Sequence, residues 1–399
     1  MAIDSGFCPD RLDRLRGAME QKVAAGDLPH CILRIDRMGK TAFSHAVGTT
    51  EPDGGRAVDE HTIHRIHSLS KPIVSVALLT LVEEGRIALD DPLGDYIPEL
   101  ADVRAPEAKD LPVLIIDLLR HTSGFTYHFQ NRTSVDARYR KLGIDPTDRA
   151  GDMAGLVERL AQVDLEFAPG TAWNYSLSTD LVGCLVERIT GTSLDQALSD
   201  RLFKPLGMLD TGFDVNPANA DRLAALYALK DQRIELIDRP HQSSWCEPAK
   251  LISGGGGLTS TVADYARFTQ MMLDRGRASD GRILSPTTID LMTSNHLPGG
   301  GDLRSLSVSM FSETSYTGIG FGLGVGITLD PVRSLMPGTA GDYFWGGASG
   351  VFFWVDPVRQ MSVIFMTQLM GTNPQALRRR IRTLVYAALM EADPVRRSF

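Results

Sequence analysis

Ser68 and Lys71 form the only Ser-X-X-Lys of this chain. Residues three apart on an α-helix share a face, with Cβ atoms about 5–6 Å apart, so this spacing can set a hydroxyl beside an amine. Such a pair has the layout of a nucleophile and its base. Taken alone the motif is weak, because two such common residue types should meet at this spacing roughly once by chance in a chain this long. The competing reading is a helix N-cap serine followed by a solvated lysine.

The flanking sequence shifts the balance. Thr62 to Ile66 reads as a short extended segment, and Ile73-Val74-Ser75-Val76-Ala77-Leu78-Leu79-Thr80-Leu81-Val82 as a helix apolar on nearly all sides, hence buried. Pro72 suits the first turn, where the helical N–H groups have no intrahelical partner. The spacing predicts Ser68 and Lys71 side by side in an exposed first turn of a buried helix.

Other elements follow in order. Arg11–Ala25 has the amphipathic pattern of a helix, with Leu12, Leu15, Met19 and Val23 on one side. Cys31–Ile35 and Thr41–Val47 read as strands around a Met38-Gly39-Lys40 turn. Helices are expected at Ile115–Arg120, Met153–Val163, Thr179–Ile189 (stopped by Gly191), Ser193–Phe203, from about Thr261 through Leu273, and at Pro374–Met390. Strand-like runs occupy Phe321–Thr328, Tyr343–Trp345, Val351–Val355 and Met361–Thr367. Gln130–Ala150 is polar and charged, a surface excursion or a flap. Strands at both ends with helices between suggest an α/β (α+β) layer, 1–90 with 250–399, and a mainly helical part, 91–249.

Composition narrows the function. An apolar fraction of 43% and a charged fraction of 23% are those of an ordinary globular protein. A net charge of −8 without a basic cluster argues against nucleic acid as partner. No uncharged apolar run approaches membrane-spanning length. Met1-Ala2-Ile3-Asp4-Ser5 opens no secretory leader, and the four scattered cysteines suggest reduced thiols, so a cytoplasmic location is the expectation. Oligomeric state is not legible.

Three motifs in order, Ser68-Leu69-Ser70-Lys71, Tyr175-Ser176-Leu177 and Trp345-Gly346-Gly347-Ala348, resemble the signature of the serine β-lactamase and penicillin-recognising superfamily. They are most similar to its β-lactamase-like carboxylesterases (family VIII). Leu118–Gly124, Pro205–Met208 and Ser253–Ser260 extend the resemblance, which covers roughly residues 10 to 390. It implies the β-lactamase/DD-peptidase-like fold, an antiparallel sheet flanked by helices beside a mostly helical domain, with the site between them.

Two departures within the motifs bear on substrate. An Asn is frequent where Leu177 stands and can hydrogen-bond an acylamino group, which Leu cannot. A Lys or His usually occupies the place of Trp345 and helps bind a substrate carboxylate, whereas Trp345 brings no charge. Trp-Gly-Gly is what the esterase branch carries, and glycines there let a substrate approach the backbone.

The resemblance then implies a mechanism. Ser68 attacks an ester carbonyl, Lys71 accepts its proton with a pKa lowered by desolvation, and Tyr175 serves as general acid. The backbone N–H groups of Ser68 and Ala348 form the oxyanion hole, and Tyr127, Leu177, Trp345, Gly346 and Gly347 line the substrate site. No cofactor is expected, and the partner is a small ester with a short acyl chain. An acyltransferase of the same fold, a weak β-lactamase and a penicillin-binding sensor that never turns over remain open alternatives.

Other features point to less. His61-X-X-His64-X-X-His67 looks like a metal cluster, but on a strand His64 points away from the other two. No Cys or carboxylate completes the site, so structural or surface histidines are expected. The Gly-X-Ser-X-Gly elbow of α/β-hydrolases is absent. Ser253-Gly254-Gly255-Gly256-Gly257 lacks the Gly-Lys-Ser/Thr ending of a phosphate loop and is expected to close tightly against the sheet. Ser70 is a bystander in the first turn.

Overall fold

The structure is a computed structural model and describes residues 6–52, 54–279, 281–309, 317–371 and 374–390. Met1–Ser5, on which the reading of the leader rests, lie outside the described residues.

A seven-stranded antiparallel sheet carries the frame. In space its strands run Lys40–Gly48, His30–Arg37, Met361–Met366, Phe352–Asp356, Tyr343–Gly346, Gly326–Thr328 and Ile319–Phe321. All come from the two ends of the chain. Met361–Met366 and Phe352–Asp356 are buried along their whole length, which is why they read as continuous apolar runs and not as alternating ones. The Val262–Leu273 helix packs on the Met361–Met366 strand, while helix α1 (Pro9–Ala24) packs on the Pro374–Ala388 helix and on the first hairpin.

The stretch expected as one strand, Phe321–Thr328, is two short strands joined by a turn in which Gly324 has φ +94°. A side chain at Gly324 would meet Ser75 Oγ, so the sheet turns at this point where it touches the central helix. A hairpin of Leu226–Lys230 and Arg233–Asp238 lies inside the stretch read as mainly helical. Its turn, Asp231-Gln232, has positive φ at both residues without a glycine, so the usual composition signal was missing. Gln130–Ala150 contains a helix, Ser134–Leu142, that Thr133 caps through its side chain and Gly143 ends.

The central helix α2 runs Ser70–Glu83, and every residue from Ser70 to Leu81 is buried. It packs against the Ser178–Thr190 helix, which Gly191 ends in a left-handed conformation. Each fully buried aliphatic side chain on α2 contributes roughly 1.5–3 kcal/mol. The first turn differs from expectation on two counts. It is buried, and Ser68 precedes the helix, in a 3-10 turn of His67–Leu69. The backbone change happens at His67, whose φ is +46°.

His30, His64 and His121 lie buried in this part of the fold, and His67 is half-buried with its ring shielded. His30 and His64 face each other with Nε2 atoms 3.1 Å apart, and His64 Nδ1 donates to Thr62 O at 2.8 Å. That pairing makes His64 structural, and His61 is exposed. Among the described residues no group of three or more His, Cys, Asp or Glu is arranged to hold a metal. Desolvation holds all four of these rings below the usual value of 6.5, His64 and His67 at about 4. At pH 5 His64 and His67 are mostly neutral in the fold while unfolded histidines are mostly protonated. Unfolding then takes up protons, so stability falls as pH drops from about 6.5, and the His64 and His67 contributions level off below about 4. The slope is up to about 1.4 kcal/mol per pH unit for each histidine. The urea midpoint at pH 5 should lie well below that at pH 7.5; equal midpoints would mean that the histidines are charged in the folded protein.

Candidate active site

Three sets of hydrogen bonds, one from backbone and two from side chains, fix the turn that carries Ser68. Residues His64 and Arg65 pair with Ser260 and Thr259, and Ile66 N–H continues that ladder to Leu258 O at 3.0 Å. Ser70 Oγ donates to His67 O at 2.6 Å and accepts from Leu258 N–H at 3.1 Å. Tyr265 OH donates to Leu69 O at 3.1 Å. Ser70, read as a bystander, is a clamp between the turn and the glycine-rich segment.

Lys71 projects from the first turn of α2 and is 1% exposed. Its Nζ lies 2.6 Å from Gly255 O, 3.1 Å from Tyr127 OH and 3.4 Å from Ser68 Oγ. These three acceptors match the three donors of an ammonium. Two of them are hydroxyls that can donate instead, so a neutral amine can be held in the same cradle with its lone pair toward a hydroxyl. The Nζ also sits 4.7 Å from the ring centre of Tyr175 and 5.6 Å from that of Tyr127.

Tyr175 comes from the loop before the Ser178–Thr190 helix, and its OH accepts from Trp345 Nε1 at 3.4 Å. His121 and Trp345 pack on the Tyr175 ring with centroids 4.9 and 5.5 Å away, and Phe321 stands edge-on to Trp345 at 5.1 Å. Phe129 stacks on Tyr127 at 4.8 Å. Gly346 and Gly347 end the Tyr343–Gly346 strand beside the Ser68 turn, and the partly exposed Ala348 follows. The N–H groups of Ser68 and Ala348 make no hydrogen bond to protein among the described residues. Leu177 is the N-cap residue of the Ser178–Thr190 helix and is fully buried, so it presents no surface to a ligand in this conformation.

Two residues escaped the sequence reading. Tyr127 was placed only as pocket lining, yet its OH touches the lysine. Asp180 went unnoticed. Its Oδ1 accepts from Ser253 Oγ at 2.5 Å and from Gly255 N–H at 2.9 Å, while Gly255 O receives Lys71. Burial pushes this carboxyl upward and the Lys71 charge opposes that shift. Gly255 thus links the buried acid to the lysine, with its N–H on one and its carbonyl on the other. The spacing allows no side chain, because a Cβ on Gly255 would sit 2.5 Å from Asp180 Oδ2. Asp180 follows Ser178 and Thr179 in the first turn of its helix, an ordinary place for an acid, so the sequence carried no distinct signal for it.

Ser68 in the turn ahead of a buried helix and Lys71 in that helix's first turn, beside the Ala348 turn of the antiparallel sheet, have the layout of a serine nucleophile and its base. The chain belongs to the Beta-lactamase family, whose model matches residues 15–388. Esterase EstB of Burkholderia gladioli is 32% identical over 383 residues, which cover 92% of each chain. Lovastatin esterase of Penicillium rubens is 29% identical over 361 residues, 82% of this chain and 84% of that one. The structure of EstCE1, described as a hydrolase with promiscuous acyltransferase activity, matches with a TM-score of 0.82 at 25% identity, covering 96% of this chain and 98% of its own. The fold is therefore the β-lactamase/DD-peptidase fold, and these relatives support serine hydrolase or acyl-transfer chemistry. No described helix is long and apolar enough to cross a membrane.

Proposed function

We propose that this chain is a carboxylesterase that cleaves short-chain esters through an acyl-enzyme on Ser68. The observation that carries the reading is the position of Lys71: buried, and in contact with both Ser68 Oγ and a tyrosine hydroxyl. Ser68 Oγ attacks the ester carbonyl and its proton passes to Lys71 Nζ. The oxyanion forms against the N–H groups of Ser68 and Ala348, each such donor being worth about 10²–10³ in rate. Tyr175 OH, held by Trp345, delivers a proton to the leaving alkoxide. Water then attacks the acyl-enzyme and gives its proton to the Tyr175 phenoxide, while Lys71 returns its proton to Ser68 Oγ as the acid is released.

Substrate choice rests on the walls. Phe129 presents aromatic surface, and the buried rings of Tyr127, Tyr175, Trp345 and Phe321 lie behind it. Such walls favour neutral substrates with compact acyl groups. The promiscuous acyltransferase activity of EstCE1 supports a second reading, in which an alcohol takes the acyl group in place of water.

The test is a comparison of turnover on p-nitrophenyl butyrate, p-nitrophenyl palmitate and nitrocefin, each with and without a small alcohol. The expected result is steady turnover of the butyrate, much slower turnover of the palmitate and slow or no nitrocefin hydrolysis. A stoichiometric burst without turnover would indicate an acylated sensor. Ester formation with the alcohol as the dominant product would indicate the transferase.

A further inference from the structure

We infer that Gln368 and Ser349 are positioning residues that hold the two halves of the oxyanion hole in register; the inference rests on the role proposed for the Ser68 and Ala348 N–H groups. The two groups come from segments 280 residues apart in the chain, and nothing in the sheet ladder fixes their separation directly. The Tyr343–Gly346 strand stops pairing at Gly346, opposite Phe352. Ala348 sits beyond it in a turn closed by Gly347 N–H to Val351 O at 2.8 Å and Gly350 N–H to Gly347 O at 3.1 Å.

A closed ring of hydrogen bonds ties that turn to the strand leading into Ser68. Gln368 Nε2 donates to Ser349 Oγ at 3.0 Å, and Ser349 Oγ donates to Arg65 O at 3.2 Å. Arg65 N–H in turn donates to Gln368 Oε1 at 3.2 Å. Gln368 Nε2 also lies 3.0 Å from Arg65 O. The side-chain amide therefore pairs with both backbone groups of Arg65, as a neighbouring strand would, on the side away from Thr259.

Gln368 and Ser349 are both fully buried. Backbone bonds seat the glutamine: Tyr227 N–H donates to Gln368 O at 3.0 Å, and Leu369 N–H to Ser349 O at 2.9 Å. The Arg65 guanidinium closes the underside, with Nη1 2.7 Å from Ala224 O and Nη2 2.9 Å from Ser243 Oγ. Contact between the two segments leaves no slack, since a Cβ on Gly347 would lie 2.6 Å from Ile66 O. Arg65 is three residues before the nucleophile and Ser349 is next to Ala348. Loss of the ring frees the turn to drift against Ser68, and misplacement by about 1 Å costs on the order of 10²-fold in rate.

The variants are Gln368→Ala, Gln368→Glu and Ser349→Ala. Gln368→Glu keeps the volume and an acceptor for Arg65, so it guards against simple failure to fold, while its carboxylate cannot donate to Ser349 or to Arg65 O. Each variant should lose about 10- to 100-fold in kcat with KM for p-nitrophenyl butyrate within about twofold. The Ki of a trifluoromethyl ketone, whose adduct with Ser68 places an oxyanion in the hole, should rise in the same proportion as kcat/KM falls. Combining Gln368→Ala with Ser349→Ala should cost little more than either alone, because both break one ring. Folded variants with unchanged kcat and unchanged ketone Ki would overturn the inference, even if Tm fell. Wild-type protein without Ser68-dependent turnover would overturn the esterase reading and this inference together, whereas normal turnover with indifferent variants overturns this one alone.

Discussion

Replacing Ser68 with alanine is expected to lower kcat for p-nitrophenyl butyrate by at least about 10⁴-fold, as removal of a covalent nucleophile does in other serine hydrolases. The substitution removes one half-buried oxygen from a turn held by Ser70 and Tyr265, so the fold should survive it. Mass spectrometry of wild-type protein quenched during turnover should find a butyryl group on the peptide containing Ser68, and none in Ser68→Ala. Ser70→Ala is the necessary control, since the two serines are two residues apart on the same tryptic peptide. Losing Ser70 breaks two hydrogen bonds and leaves Leu258 N–H unpaired, at a cost of about 1–3 kcal/mol in stability. The adduct should nevertheless persist in Ser70→Ala. An adduct retained in Ser68→Ala and absent from Ser70→Ala would transfer the nucleophile to the other serine.

How much of this was legible in the sequence follows from the range of the interactions involved. Ser68 and Lys71 were legible because their relation is local: three residues fix their relative direction almost whatever surrounds them. The all-apolar run of α2 announced its own burial for the same reason. The Gly255 link was not legible, because Asp180, Gly255 and Lys71 meet only after two helices pack together. A buried Asp beside Ser178 and Thr179 in a first helical turn looks like any acid at a helix start and leaves no periodic trace. The split at Gly324 was hidden because both halves are apolar and in register with one long strand, so only the contact with Ser75 reveals the bend. Likewise the 3-10 turn at Ser68 follows from the left-handed φ of His67, and no residue-type rule places a histidine there.

The two departures from the penicillin-type signature play different parts in space. Trp345 sits in the site and spends its only donor on Tyr175 OH, so it can orient the acid but has nothing to offer a carboxylate. Leu177 is fully buried in the core, and its effect is to remove a polar group rather than to add a contact. Lys71 is already surrounded by Gly255 O and two hydroxyls, which leaves it poorly available as a counter-ion for an acidic substrate. An ester without charge asks for none of these groups.

Lys71 and Tyr175 carry the second large effect. Lys71→Ala should cost at least about 10² in kcat, the range of a general base, and Tyr175→Phe should cost a similar factor as the loss of a general acid. The two differ in how they depend on the leaving group. Departure of p-nitrophenolate needs little help from an acid, so Tyr175→Phe should be hurt less on p-nitrophenyl butyrate than on ethyl butyrate, whose alkoxide must be protonated as it leaves. Lys71→Ala should be hurt on both, because the serine proton must go somewhere whatever the leaving group is. The pH dependence separates them again. A lysine acting as base makes kcat/KM rise with pH as the ammonium loses its proton, and that limb should vanish in Lys71→Ala and persist in Tyr175→Phe. Tyr127→Phe serves as the comparison, since it removes one partner of Nζ while leaving Ser68 Oγ and Gly255 O in place. Lys71→Ala with a wild-type rate and an intact limb would place the base elsewhere, and equal losses on both esters in Tyr175→Phe would remove the tyrosine from the leaving-group step.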